Sequence, residues 1–365
     1  MTAPHRLESP SAARMVIDGR PILNFGGSCY LGLSAQPELV TAGVRAIEQM
    51  GSTGQLPRHY NFVLAANLAA EDAAREFFGT EGAIYYATGY LFGPMAMTAL
   101  ADDYDVAVID ESGHYNLVEG ARMAQRPIAT FAHRDAQDLA RVLDRLTAEG
   151  KRPLVATDGM FATFGTSPPL AEYQRLIDPH GGWLLVDESH SFGALGPTGQ
   201  GACEVAGLSG DRVLRGGSMA KAFCAYGGMT VGSAAAIARL WQTPIARGAV
   251  SGMSAGAAMT AASLAYVRAN PEVLERLRAN SNCLRGMLRS CGLAVEENSS
   301  PVAAFVHGDA AGMRAIQQAL WAQGIFVIYS TYVGAGAEGA LRIAAFADHE
   351  AEDFERLKAA LEPLV

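Results

Sequence analysis

Short, mostly apolar runs alternate with helix-length polar stretches through the middle of this chain. The runs fall at Ala83–Tyr86, Val106–Ile109, Ile128–Phe131, Leu154–Ala156, Trp183–Val186, Val213–Leu214 and Met229–Val231. A strand that is apolar at every position, not at every second one, is buried on both faces. Seven such strands separated by helices or turns predict an α/β fold with a mostly parallel, doubly wound sheet. Ligands of that architecture sit beyond the carboxyl ends of the strands, which is where chemistry should be sought.

The flanks read differently. Residues 1–35 form an arm in which Arg20-Pro21 leads into Ile22-Leu23-Asn24-Phe25 and then the glycine-punctuated Gly26-Gly27-Ser28-Cys29-Tyr30-Leu31-Gly32-Leu33. Helical periodicity begins near residue 37, with Val40, Val44 and Ile47 on one face. A Gly/Thr/Gln/Pro loop at 51–58 breaks it, and a second helical segment ends near Phe78-Gly79. Beyond a long uncharged run, Ala249–Val267, an arginine-rich amphipathic helix spans about 271–290. Strands are expected at Leu293–Glu296, Val302–Val306, Gly324–Tyr329 and Leu341–Ala345, followed by a helix from His349. The pattern divides the chain into the arm 1–35, a large α/β domain 36–270 and a small α+β domain 271–365 with an antiparallel sheet.

Composition narrows the function classes. Of 365 residues, 50% are hydrophobic and 18% charged, enough apolar surface for buried cores. A net charge of −9 offers no electrostatic footprint for nucleic acid or an anionic membrane, so a small-molecule substrate is expected. The five cysteines form no CxxC pair, and their odd number suits a reducing cytoplasm and gives no zinc-ligand spacing. No long apolar run follows the N-terminal basic residues, so no signal peptide is expected. The Ala249–Val267 run is rich in Ala, Ser and Gly and reads as a buried helix, not a membrane span.

Only three lysines occur. Lys151 and Lys358 fall in polar contexts, whereas Lys221 sits in Gly216-Gly217-Ser218-Met219-Ala220-Lys221-Ala222-Phe223, with a second glycine pair at 227–228. A lysine in apolar surroundings loses pKa by desolvation, which frees its amine for imine chemistry. Three further features fall at strand ends. Thr88-Gly89-Tyr90 precedes a helical run whose first N–H groups suit a phosphate. Asp110-Glu111-Ser112-Gly113-His114 puts an imidazole at the rim. Val186-Asp187-Glu188-Ser189-His190 ends an apolar strand in a carboxylate, with a second imidazole three residues on. Each also has a plain structural reading: a snorkelling lysine, a strand-to-helix turn, a hydrogen-bonding histidine, an Asx turn. Jointly an amine, a carboxylate, imidazoles and an anion nest are what pyridoxal 5'-phosphate requires.

The run from Val186-Asp187-Glu188-Ser189-His190-Ser191-Phe192-Gly193 to Gly199-Gln200-Gly201, with Ser218-Met219-Ala220-Lys221-Ala222-Phe223, resembles the α-oxoamine synthases, and the likeness extends from about Asn24 to the C-terminus. Its motifs are closest to the quorum-sensing autoinducer synthase and 8-amino-7-oxononanoate synthase-like branch. The resemblance implies a fold-type I pyridoxal-phosphate transferase, a cytoplasmic homodimer with shared active sites, that joins an amino acid to an acyl-CoA or other acyl thioester with loss of carbon dioxide. It implies Lys221 as the Schiff-base lysine, Asp187 as partner of the pyridine nitrogen, His190 at the phenolic oxygen and His114 stacked on the ring. Gly89 and Tyr90 amides and the Ser218 hydroxyl then hold the phosphate, and Arg342 grips the amino acid's carboxylate.

The family pattern is altered on the substrate side. The site asparagine is Ser28 here, a histidine is Asn67, a serine is Ala162, the Ser-Thr pair is Ser251-Gly252, and the Gly-Ser-Arg loop reads Gly54-Gln55-Leu56. A second reading therefore keeps the cofactor and changes the chemistry to elimination, replacement, aldol cleavage or transamination of an amino acid, S-adenosylmethionine among the candidates, without CoA. A non-catalytic relative is expected to have lost the lysine, and Lys221 is present.

Overall fold

The computed structural model describes residues 4–54, 56–248 and 252–365, and in it every one of the seven apolar runs is a strand of one sheet. Along the chain, β1 (Arg14–Ile17) and β2 (Arg20–Asn24) come first. The seven follow as β3 (Gly82–Tyr86), β4 (Val106–Asp110), β5 (Ile128–Phe131), β6 (Pro153–Asp158), β7 (Trp183–Asp187), β8 (Val213–Ser218) and β9 (Gly228–Gly232). The remaining strands are β10 (Val302–Phe305), β11 (Ile325–Phe326), β12 (Ile328–Ser330) and β13 (Ala340–Ala344).

Two compact units result: Pro37–Met160 with Ser167–Ala269, and the residues up to Gln36 with Phe161–Thr166 and Asn270–Val365. In the first unit the sheet order is β3-β9-β8-β7-β6-β4-β5. All neighbours from β8 to β5 are parallel, and β9 runs antiparallel to both β3 and β8. Register places Asp158 beside Asp187 and Asp187 beside Gly216, so the carboxyl ends of β6, β7 and β8 lie level. The helix Phe92–Ala99 buries Phe92, Met95 and Met97 against Ile84, Leu185 and Leu214. Each such side chain contributes about 1.5–3 kcal/mol when withdrawn from water. This helix crosses Tyr115–Met123 at Gly93 and Gly120, where any Cβ would run into the opposing backbone at Asn116 or Gly93. That close crossing brings the start of the second helix down onto the strand ends.

The helix expected from residue 37 is Pro37–Met50, but its buried face is Leu39, Gly43 and Ala46, not the valine stripe. Gly43 lies against Met259 and Ala255 of the helix Ser254–Ala269, leaving Val40, Val44 and Ile47 exposed. A glycine at the helix crossing outranked the larger side chains in deciding which face packs. The uncharged run is this Ser254–Ala269 helix with its approach, although Ala249–Ser251 lie outside the described residues.

In the second unit the first residues are built into the fold. Strand β2 pairs with β1 and, in parallel, with β11. An antiparallel sheet β10-β13-β12 and the helices Glu272–Ser290, Ala310–Ala322 and Ala351–Leu361 enclose a core of Leu284, Leu288, Phe305, Ile343 and Leu357. Two expectations fail here. Leu293–Glu296 is not a strand; the buried Arg285 guanidinium takes the Glu296 carbonyl at its end (2.6 Å) and the Ser300 carbonyl beyond it (3.1 Å). The expected strand Gly324–Tyr329 is split in two, as Ile325–Phe326 pair with β2 and Ile328–Ser330 with β13.

His349 is a buried latch in this unit. Its Nδ1 accepts the Phe346 N–H at 2.8 Å, its Nε2 lies 3.0 Å from the Asn24 carbonyl, and its ring stacks 4.2 Å from Phe25. Burial depresses its pKa to about 3. The unfolded chain takes up this proton below about pH 6.5 while the folded chain does not, so folding stability falls from there toward pH 3. We expect His349→Gln, measured by urea unfolding at pH 7.5 and 5.0, to lose less stability over that interval than the parent.

Candidate active site

The carboxyl ends of β6, β7 and β8 carry the groups that the sequence singled out. Asp187, the last residue of β7, is buried, and both carboxylate oxygens are engaged: Asn116 Nδ2 donates to Oδ2 at 2.7 Å and the Ser189 N–H to Oδ1 at 2.9 Å. The protein partners of this buried carboxylate are therefore a side-chain amide and a backbone N–H. A buried carboxylate held by N–H donors stays fixed in one orientation.

His114 caps the helix Tyr115–Met123. Its Nδ1 lies 2.9 Å from Asn116 Oδ1, and its ring packs edge-on to Tyr90 with centroids 5.8 Å apart. Asn116 thus ties the His114 ring to Asp187, a link absent from the sequence reading. The one signal for it was a polar residue in the first turn after the histidine. His114's own N–H donates to Asp158 Oδ2 at 2.8 Å. Asp158, the second residue missed, is buried beside Asp187. Burial, and then the Asp187 carboxylate, push its pKa well above the usual carboxylate range, while the His114 N–H and the Lys221 ammonium oppose the shift.

Thr88, Gly89 and Tyr90 form the turn between β3 and the helix Phe92–Ala99. Thr88 Oγ1 accepts the Tyr90 N–H at 3.5 Å, so one of the two amides expected to face an anion has a partner within the turn. A Cβ at Gly89 would overlap Ser218, so only glycine lets this turn touch the end of β8. Ser218 N–H donates to Ser189 Oγ at 3.0 Å, and Ser218 Oγ accepts the Ala220 N–H at 3.1 Å. His190 is half-buried on the turn after Asp187.

Lys221 is half-buried in the loop between β8 and β9. The loop is closed by Met219 N–H to Gly227 O and Ala225 N–H to Met219 O, both 3.0 Å. The Ser254–Ala269 helix clamps it, with Ser263 Oγ donating to Phe223 O (2.6 Å) and Thr260 Oγ1 to Tyr226 O (3.1 Å). Tyr85 Oη donates to the same carbonyl at 2.9 Å. In the sequence those hydroxyls were lost among alanines.

Amine, carboxylate, hydroxyl and two imidazoles on strand-end turns, with a glycine contact that only a missing Cβ permits, form a donor set that fits pyridoxal phosphate. In the other unit, Arg342 is buried, and its guanidinium donates to Ala162 O (2.7 Å), Gly27 O (2.8 Å) and Tyr30 Oη (3.0 Å). It therefore reaches the turn that carries half-buried Ser28. Burial raises the Tyr30 pKa against the pull of Arg342. Of the altered family positions, Asn67 is buried on the helix Ala65–Phe78, Gly252 has a left-handed φ of 72°, and Gln55 and Ser251 lie outside the described residues.

The chain belongs to the class I and II aminotransferase family, whose model matches residues 20–361. An 8-amino-7-oxononanoate synthase of Aromatoleum aromaticum is 33% identical over 367 residues, covering 98% of this chain and 93% of that protein. One of Symbiobacterium thermophilum is 29% identical over 323 residues, covering 88% and 82%. A serine palmitoyltransferase from S. paucimobilis, solved with bound PLP, superposes with a TM-score of 0.93 at 26% identity, covering 99% of this chain and 92% of that one. The Sphingomonas wittichii serine palmitoyltransferase gives 0.92 at 28%, covering 99% and 91%. Within the family, the protein is a pyridoxal-phosphate-dependent C-acyltransferase of the α-oxoamine synthase type. No helix among the described residues is long and apolar enough to cross a membrane.

Proposed function

We propose that the protein condenses an amino acid with an acyl thioester, releasing carbon dioxide and an α-amino ketone, and that the strand-end residues hold the cofactor that makes this possible. The observation that carries the reading is the Asn116-bridged pair His114 and Asp187, level with the loop of Lys221. Bound there, pyridoxal phosphate supplies an electron sink for the pair left on the amino acid's α-carbon when a bond to it breaks. Asp187 holds a proton at the pyridine nitrogen, and Asn116 keeps that carboxylate from turning away. The His114 ring covers one face of the site and sheds water from it. His190 donates to the phenolic oxygen, while Ser218 and the turn at Gly89 and Tyr90 hold the phosphate. Lys221 Nζ would hold the cofactor covalently and would supply the base at the amino acid's α-carbon. Arg342 offers the amino acid's carboxylate a guanidinium fork, in exchange for one of its present bonds.

Free-thiol release from a panel of acyl thioesters, with and without amino acids, tests the reaction. Thiol release that requires one amino acid, with a matching α-amino ketone by mass spectrometry, is the expected result. Amino-acid turnover without thiol release from any thioester favours elimination, replacement, aldol or transamination chemistry instead.

The proposal includes a homodimer. Val40, Val44 and Ile47 line one exposed face of Pro37–Met50, and Leu56, Phe62 and Leu68 are exposed on the segments that follow. An apolar face of this extent needs a cover, and a second copy supplies one. Val44→Glu with Ile47→Glu should convert a dimer to a monomer in sedimentation velocity; a monomeric parent overturns this part of the proposal.

A further inference from the structure

A cavity of about 370 Å³ lies in the large unit between the turn Arg58–Tyr60 and the segment that runs from Trp241 to Arg247. Its lining includes Arg58, His59, Asn61, Trp241, Gln242 and Arg247 and no carboxylate, in a chain whose net charge is −9. None of these residues belongs to the strand-end site.

The cavity is built. The Arg58 guanidinium carbon lies over the Trp241 ring, 3.3 Å from its centroid, and the guanidinium pairs with the buried Glu71, which also accepts the Tyr85 N–H at 3.0 Å. Asn61, with a left-handed φ of 64°, closes the turn by donating its N–H to Arg58 O. Arg58 and Trp241 therefore form a fixed wall whose charge is already answered by Glu71. Arg247 differs. Its Nε and Nη2 lie 3.1 and 2.7 Å from His59 Nδ1, and no carboxylate pairs with it among the described residues. An imidazole that accepts at Nδ1 presents its Nε2 as a donor. The open walls thus offer a guanidinium without an anion, an imidazole N–H and the amides of Asn61 and Gln242. Planar, multiply donating cations next to neutral donors match the oxygens of a phosphoryl group.

We infer that this cavity binds a phosphate-bearing anion, with Arg247 and His59 as its ligands and the Arg58–Trp241 stack as its floor. Two sources share that chemistry: the nucleotide phosphates of an acyl-thioester carrier, or free inorganic di- or triphosphate. That an anion binds here does not depend on the proposed reaction, whereas its assignment to the thioester's carrier rests on that reading.

The test uses enzyme saturated with pyridoxal phosphate, so that the strand-end phosphate site is filled, and isothermal titration with inorganic pyrophosphate and with adenosine 3',5'-bisphosphate at low ionic strength. One site per chain is expected for at least one probe, weakened about 10-fold or more by Arg247→Ala and partly restored by Arg247→Lys. His59→Ala serves as a second variant should Arg247→Ala fold poorly, as judged by circular dichroism. Tighter binding of the bisphosphate, with a raised KM for the thioester alone in the variants, identifies the substrate's carrier. Tighter binding of pyrophosphate identifies a free inorganic ligand. No heat with either probe, or binding that neither variant changes, overturns the inference. Because the titration needs no turnover, its outcome is independent of whether condensation is observed.

Discussion

Lys221→Ala is expected to lower turnover by about 10³-fold or more, the combined loss of cofactor attachment and of the base at the α-carbon. The variant should fold. The loop that carries the lysine is held by its own backbone bonds and by Ser263, Thr260 and Tyr85, all on backbone carbonyls, and none of these contacts uses the Lys221 side chain. The turn also uses Cys224 and Gly227 at φ angles of 50° and 93°, and the Cys224 N–H donates to the Lys221 carbonyl at 3.0 Å, a backbone bond that alanine keeps. Two readouts separate loss of chemistry from loss of structure. Borohydride reduction of the parent should fix the cofactor to the peptide containing residue 221, and the variant should take up no stable label. A thermal transition unchanged within a few degrees should accompany that loss. Label on another lysine, with activity retained, overturns the assignment; Lys151 and Lys358 are the only others.

What the chain disclosed in advance follows from how each signal is encoded. The β-sheet was legible because its strands are mostly apolar, and burial of the central ones on both faces leaves that mark in one dimension. Lys221, Asp187 and His114 were legible because each ends or follows such a run. The rest depended on contacts between distant segments. Asn116 matters only because the Gly93–Gly120 crossing turns its amide toward Asp187, and nothing local in the chain announces a helix crossing. Likewise Thr260 and Ser263 read as filler in an alanine-rich helix until that helix is seen to clamp the lysine loop. The failed strand at Leu293–Glu296 and the exposed apolar face of Pro37–Met50 share a cause: one buried guanidinium or one glycine contact decided the outcome over the hydrophobic pattern.

Asp158 and Asp187 are neighbours in register on β6 and β7, both buried, and the two should respond oppositely to the same substitution. Like charges this close in a dry site do not both persist without cost, and the surroundings differ. Asp187 receives two N–H donors from outside its strand, whereas Asp158 receives one, the His114 N–H, and lies under the field of Asp187. Burial and that field raise the Asp158 pKa, so the folded protein retains a proton there at pH values where the unfolded chain has released it. Stability from this group is therefore complete below about pH 4 and declines as the pH rises toward the folded-state pKa. Asn mimics the protonated carboxyl and still accepts the His114 N–H. We expect Asp158→Asn to stabilise the protein near pH 7 by on the order of 1–3 kcal/mol, and the gain to vanish as the pH approaches 4. Asp187→Asn should instead reduce turnover by about 10²–10⁴-fold if, as proposed above, its charge is what would keep the pyridine nitrogen protonated. Urea midpoints at pH 7 and pH 4, with turnover measured on the same preparations, decide it. A destabilised Asp158→Asn at pH 7, or a pH-independent gain, would show that Asp158 is ionised in the fold and that the two carboxylates share their charge.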